Sequence, residues 1–241
     1  MSSEPILKVE NVCSKYGDFI AVADATFEVP EKSIISIIGS NGAGKSTLMD
    51  CIAGIQKPVS GRITYKGEDI TGMKPTGIVA RGLALVPQGS RCFVRMSVED
   101  NLIMGAFPKH ARKGMNERLK RVYELFPMLH EKRNDLSGSL SGGQRQMVAI
   151  GRALMSDPDM ILFDEISLGL APTIIKDIYA RIRQINRECV SAVLVEQDVA
   201  RSKKTSSYSY IMLKGEMVLS GPSRELDDET VKNAYFGVRR G

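Results

Sequence analysis

The run Ser33-Ile34-Ile35-Ser36-Ile37-Ile38, followed at once by Gly39-Ser40-Asn41-Gly42-Ala43-Gly44-Lys45-Ser46, constrains this chain more than any other stretch. The first part is nearly all β-branched or apolar and shows no polar alternation. That pattern predicts a strand buried on both faces of a parallel sheet. The second part fits the spacing G-x-x-x-x-G-K-[ST], and beyond Lys45 the apolar residues Leu48, Met49 and Ile52 fall at helical spacing. Strand, glycine-rich turn and helix in that order form a cradle for phosphate. The glycines let the backbone curl so that its N–H groups face a β-phosphate, and the helix N-terminus adds partial positive charge. Lys45 supplies a mobile full charge, and the Ser46 hydroxyl is placed to ligate Mg²⁺. The expected nucleotide-phosphate residues are therefore Gly39, Ser40, Asn41, Gly42, Ala43, Gly44, Lys45, Ser46 and Thr47.

Two further stretches carry chemistry. Met160-Ile161-Leu162-Phe163-Asp164-Glu165 is an apolar strand ending in two carboxylates, which a parallel sheet delivers to its carboxyl edge, where ligands bind. Asp164 is expected to hold Mg²⁺, directly or through water, and Glu165 to polarise or deprotonate the attacking water. Leu140-Ser141-Gly142-Gly143-Gln144 opens another helix, continued by Met147, Ile150, Gly151 and Leu154; an unobstructed helix start is a second anion site.

Along the chain, Ile6–Val9 and 21–29 read as extended segments. Residues 97–135 change character, with short helices broken by Pro108, Gly114 and Pro127, and βα alternation resumes at Met160 with a strand, a helix over 173–187 and a strand over 192–196. The pattern predicts a helical lobe inserted between strand-rich halves. The net charge of +5 is dispersed and lacks interleaved aromatics, so it implies no specific nucleic-acid face. Cys13, Cys51, Cys92 and Cys189 form no CxxC pair, which points to reduced thiols rather than metal or disulfide. The start MSSEPILKVE lacks the features of a secretion signal and no apolar run reaches about eighteen residues, so the expected place is the cytoplasm.

The phosphate loop, the Asp164–Glu165 strand and the LSGGQ at 140–144 together resemble the ATP-binding-cassette ATPases, over essentially the entire chain. The resemblance implies an α/β fold: a P-loop NTPase core of parallel sheet with an N-terminal antiparallel β subdomain and an inserted α-helical subdomain. It implies one domain over 1–241, with the core in 1–88 and 136–241 and the helical subdomain in 89–135. ATP and Mg²⁺ are the implied ligands. Tyr16 matches the aromatic that stacks on adenine; Gln88 matches the glutamine that touches Mg²⁺ and water and links the site to the helical lobe. Leu140, Ser141, Gly142, Gly143 and Gln144 of one subunit would face the ATP held by another, in a head-to-tail dimer formed with itself or with a sister ATPase. The implied partners are membrane permease subunits and, through them, an extracytoplasmic solute-binding protein, placing the chain peripherally on the inner face of the membrane. Residues 89–100 are the expected permease contact, with internal packing of Phe93, Val94 and Met96 as the alternative.

Gly89–Leu102, Ala149–Met155, Ser167–Pro172 and Val231–Gly237 are similar to the shorter ATPase of bacterial branched-chain amino acid importers, and of related urea and amide importers. Ile166 and Ala171 stand where the wider family has proline and aspartate, and Ser206–Ser209 replaces a stretch usually containing Ala-Asp-Arg, for which only altered local packing is expected. A soluble cassette protein acting on ribosomes or DNA is the alternative in another class, disfavoured by the single cassette and the lack of a heptad run. A cassette serving another transported substrate is the alternative within the class.

Gln197, after the strand 192–196, aligns with the position where most cassettes carry a histidine; His110 and His130 lie far from it in sequence. An amide donates to a phosphate and accepts from water but carries no proton away near neutral pH. Gln197 is therefore expected to position water while Glu165 acts as base. Gln197→Ala should lower turnover and Gln197→His should preserve much of it; wild-type turnover in the alanine variant, measured as phosphate release, would show the position idle.

Overall fold

The computed structural model describes residues 4–236, so Gly237, the last residue of the C-terminal segment quoted above, lies outside it, as do the first three residues of the MSSEPILKVE start. The chain opens with two long antiparallel strands, β1 (Leu7–Tyr16) and β2 (Phe19–Val29), followed by β3 (Ile34–Ile38) and α1 (Lys45–Ile52). A short hairpin, β4 (Ser60–Tyr65) and β5 (Glu68–Asp69), then α2 (Pro75–Val79) and β6 (Leu83–Val86), lead to the helical lobe. That lobe holds α3 (Val98–Ile103), α4 (Lys109–Arg112), α5 (Met115–Leu125) and α6 (Pro127–Glu131), and α7 (Gly142–Leu154) brings the chain back. The second half alternates: β7 (Met160–Asp164), α8 (Pro172–Arg187), β8 (Ser191–Glu196), α9 (Val199–Thr205), β9 (Tyr208–Leu213), β10 (Glu216–Pro222) and α10 (Asp228–Phe236).

The strands form one sheet in the order β5-β4-β1-β2-β10-β9-β3-β8-β7-β6. β6, β7, β8, β3 and β9 run parallel, while β1, β2, β4 and β5 pair antiparallel. This is the expected α/β architecture: a parallel core, an antiparallel N-terminal part and inserted helices. The hairpin at 60–69 and helices α2 and α9 were not anticipated, because their apolar patterns are too short to declare a period.

The central strands sort their side chains by parity onto two cores. Ile161 and Phe163 of β7 and Leu194 of β8 join the helices α7 and α8 and the lobe. Met160, Leu162, Val193 and Val195 join α1 and the N-terminal strands. Every residue of β3, β7 and β8 is buried, so the sheet is covered on both faces, as their unbroken apolar runs require. Each large side chain withdrawn from water there contributes about 1.5–3 kcal/mol.

Buried polar groups fix the irregular parts. Asn101 is fully buried; its amide donates to the carbonyls of Phe93 (3.0 Å) and Ser97 (2.9 Å) and to Ser137 Oγ (2.9 Å), while its oxygen accepts from Phe93 N–H (2.8 Å). The loop 91–97 is thereby riveted to the lobe, yet Phe93 and Val94 remain exposed at 47% and 55%, and Met96 is half-buried. Ser206 and Ser209 meet Ser36 and Ser223 in a buried cluster of hydroxyls, with Ser36 Oγ 2.9 Å from Ser206 Oγ and 2.7 Å from Ser209 Oγ, and Ser223 Oγ 2.9 and 2.7 Å from the same pair. Each hydroxyl both donates and accepts, so the group is satisfied without water. Ser206 and Ser209 of the 206–209 stretch are thus part of the buried packing against β3.

The lobe approaches α7 closely at Gly105: a Cβ there would lie 2.0 Å from the carbonyl oxygen of Arg152. Backbone cannot yield as a side-chain tip can, so Gly105→Ala is expected to destabilise the protein by on the order of 1–3 kcal/mol, the usual cost of overpacking. Urea unfolding measures it; an unchanged midpoint would mean that the lobe does not depend on this contact.

Candidate functional site

The phosphate loop is wedged between three strands. The Gly39 N–H donates to the Glu196 carbonyl at the end of β8 (3.3 Å), and the Gly215 N–H, after β9, donates to the Ala43 carbonyl (2.9 Å). Gly44 caps α1 at φ 100°, and a Cβ on it would lie 2.2 Å from the carbonyl oxygen of Ala21 in β2. Only glycine meets both demands at once.

The parallel order β3-β8-β7 sets the ends of those strands side by side. Lys45, 3% exposed, donates from Nζ to the Ser40 carbonyl (2.9 Å) and pairs with Glu165 Oε1 (2.9 Å). Glu165 Oε2 accepts from Gln197 Nε2 at 2.9 Å and from Gln88 Nε2 at 3.4 Å. Gln197 Nε2 also donates to Asn41 Oδ1 (2.6 Å). Asp164, the last residue of β7, accepts from Ser46 Oγ at 3.0 Å. Ser40, Asn41, Lys45, Ser46, Gln88, Asp164, Glu165 and Gln197, spread over 158 positions of sequence between Ser40 and Gln197 counted inclusively, thus converge on one spot.

Among the described residues, Tyr16 and the signature residues 140–144 make no hydrogen bond to that spot. Tyr16 ends β1 and is 52% exposed. Leu140 is buried and Ser141 caps α7: its side chain accepts from the Gln144 N–H (3.3 Å) while Gln144 Oε1 accepts from the Ser141 N–H (2.9 Å), a reciprocal capping box. Gly143 packs where a Cβ would sit 2.6 Å from the side chain of Ile174, and Gly142 is exposed. Among the described residues, no hydrogen bond joins 140–144 to the phosphate loop. Gly42 is exposed, while Ala43 is buried and Thr47 half-buried in and after the loop. His110 Nε2 lies 3.1 Å from the Ser156 carbonyl and His130 packs edge-on to Tyr123, so neither imidazole takes part. Glu196, buried one residue before Gln197, received no role from the sequence; a charge closing an otherwise apolar strand was the signal available.

Burial pushes the Asp164 carboxyl up to about 6, with the neighbouring carboxylates of Glu165 and Asp50 adding to the shift and the Ser46 hydrogen bond and Lys45 opposing it. A cation beside Asp164 would relieve that cost. Ser46 Oγ, the Asp164 carboxylate and the Gln88 amide oxygen are hard donors suited to Mg²⁺, which is commonly held by one or two carboxylates together with substrate phosphates. Among the described residues no cluster of three or more His, Cys, Asp or Glu forms a metal cage.

The model of the ABC transporter family matches residues 22–167. The high-affinity branched-chain amino acid transport ATP-binding protein BraG of Pseudomonas aeruginosa is 40% identical over 233 residues, covering 96% of this chain and 100% of that one. The lipopolysaccharide export system ATP-binding protein LptB of Haemophilus influenzae is 30% identical over 235 residues, covering 96% and 97%. Among solved structures, the ADP conformation of an ATP-binding cassette of an ABC transporter superposes with a TM-score of 0.83 at 28% identity, covering 96% of this chain and 94% of that one.

The Asp164 carboxyl titrates above its ordinary 3.8 in the folded, metal-free chain, which therefore holds an extra proton between about pH 4 and 6. Stability falls as pH rises through that window. Asp164→Asn removes the titration, so it is expected to exceed wild type by on the order of 3 kcal/mol at about pH 8, and by little at about pH 4. Denaturant unfolding without nucleotide or metal tests this; equal stabilities at the higher pH would contradict it.

Proposed function

This chain belongs to the ABC transporter ATP-binding family, and from that premise we propose that it hydrolyses ATP to drive an importer of branched-chain amino acids or a related small polar solute. The observation that carries the hydrolytic part is the buried Glu165, held by Lys45, Gln88 and Gln197 beside the phosphate loop. The solute class rests on the full-length similarity to BraG, whose name specifies branched-chain amino acid transport.

The loop amides and Lys45 bind the phosphates of ATP, and Tyr16 stacks on the adenine. Ser46, Gln88 and Asp164 would hold Mg²⁺, which would supply positive charge against the phosphate oxygens. The Lys45 ammonium stands 2.9 Å from the Glu165 carboxylate. Phosphate oxygens compete for Lys45, release Glu165 and leave it to accept a proton from water. Gln197, already 2.9 Å from Glu165, orients that water.

The signature residues 140–144 complete the ATP site of a second subunit. The Ser141 hydroxyl accepts from the Gln144 N–H and keeps its own proton to donate, so that hydroxyl and the free backbone amides at the start of α7 would meet the partner's phosphate. Exposed Phe93, Met104 and Phe107 line an open groove of about 390 Å³, walled by Arg91 and Arg152, which suits an apolar helix of a permease. Among the described residues no helix is long and apolar enough to cross a membrane, in keeping with a peripheral subunit whose solute is selected by a permease and an extracytoplasmic binding protein.

Glu165→Gln is expected to retain ATP binding, to lose turnover by roughly 10²–10⁴ as for a general base, and to accumulate ATP-dependent dimers on size exclusion. Normal turnover would refute the assignment. Loss of leucine uptake on deletion of the gene tests the solute, and unchanged uptake would sink it.

A further inference from the structure

We infer that Glu196 is a positioning residue for hydrolysis, tying the loop that follows Glu165 to the strand end that carries Gln197. The inference rests on the ATPase reading above. Glu196 closes β8 and is 2% exposed. Strand alternation sends it to the face opposite Val195, towards α8. There Oε1 accepts from the Tyr179 hydroxyl, Oε2 accepts from Ser167 Oγ at 2.9 Å, and Arg201 Nη1 stands 3.8 Å from Oε2. Arg201 stacks over the Tyr179 ring at 5.5 Å and pairs with Asp198 at 3.0 Å.

Burying a carboxylate is costly, and well-packed apolar residues in such a place are often as stable or more so. A role for the charge is therefore to be sought in what it holds. Ser167 lies in the turn between Glu165 and α8, where the Leu168 N–H donates to the Glu165 carbonyl and the Leu170 N–H to the Ser167 carbonyl, both at 3.3 Å. Glu165 itself sits at φ 44°, in the left-handed region that a residue with a side chain occupies only when its surroundings impose it.

The imposing groups are three consecutive residues. The Val195 carbonyl accepts from the Glu165 N–H at 3.1 Å, the Glu196 carboxylate takes Ser167, and the Gln197 amide takes the Glu165 carboxylate. One strand end thus grips the base by its backbone, by the turn behind it and by its reacting group. The Glu196 side chain makes the middle contact. Its backbone carbonyl, which holds Gly39 of the phosphate loop, is independent of the side chain, so loosening the carboxylate disturbs the base and spares nucleotide binding.

Ser167→Ala removes the link while leaving Glu196 its other partners. It is expected to lower kcat about tenfold, with KM for ATP and fluorescent-nucleotide affinity near wild type and Tm modestly lowered by the lost hydrogen bond to a buried charge. Ser167→Thr keeps the hydroxyl and should restore kcat. Glu196→Ala should fall at least as far, and adding Ser167→Ala to it should cause no further loss. Wild-type kcat in Ser167→Ala, or a kcat loss that threonine does not rescue, would overturn the inference while the ATPase reading stands. Absence of turnover in the wild type would overturn both.

Discussion

A lysine ammonium and a glutamate carboxylate lie 2.9 Å apart where each is nearly out of water. Such a pair is a poor way to gain stability, because the desolvation of both charges offsets most of their attraction. Everything around it is organised to make the arrangement possible. Lys45 is anchored by a loop pinned between β8, β9 and β2, and Glu165 by a backbone turned into the left-handed region beside Val195. The covered parallel sheet supplies the rigid edge on which both are mounted. A pair that contributes little to the fold is free to exchange partners, and a phosphate-bearing ligand offers Lys45 a stronger one.

The helical lobe is attached by a different kind of constraint. Its contact with α7 is set by how near two backbones come at Gly105, and its entry loop by the side-chain hydrogen bonds of Asn101. Neither depends on a broad apolar interface alone, so the orientation of Phe93 and Val94 towards solvent is specified rather than incidental.

What was legible in the sequence was what is local. The glycine spacing and Lys45, the acids at the end of an apolar run, and Ser141 with Gln144 three residues on each declare themselves within about ten positions. The double coverage of β3 was equally plain from its nearly unbroken apolar run, whereas the parity of β3, β7 and β8 was not, since such runs carry no alternation. The illegible parts are long-range pairings. Gln197 meets Asn41 across 156 positions and Ser36 meets Ser209 across 173, and nothing in either neighbourhood names the other. Glu196 was visible as an odd charge, but its partners Ser167, Tyr179 and Arg201 come from three elements that only the sheet order brings together. The short β4–β5 hairpin and α2 were lost because periodicity needs length to show.

The serine cluster bears on how the sheet is assembled. In the order β2-β10-β9-β3, the hairpin made from residues 208–222 sits between strands that precede it by well over a hundred positions, so two strands adjacent in sequence are parted by a segment from the far end of the chain. Apolar neighbours would accept it in several registers. Ser36 opposes Ser209 directly, and a slip of one residue would set Tyr208 or Tyr210 against it and leave buried hydroxyls unpaired. Four small polar groups in an oily wall therefore act as an index mark: they make the right insertion the one in which no donor is stranded.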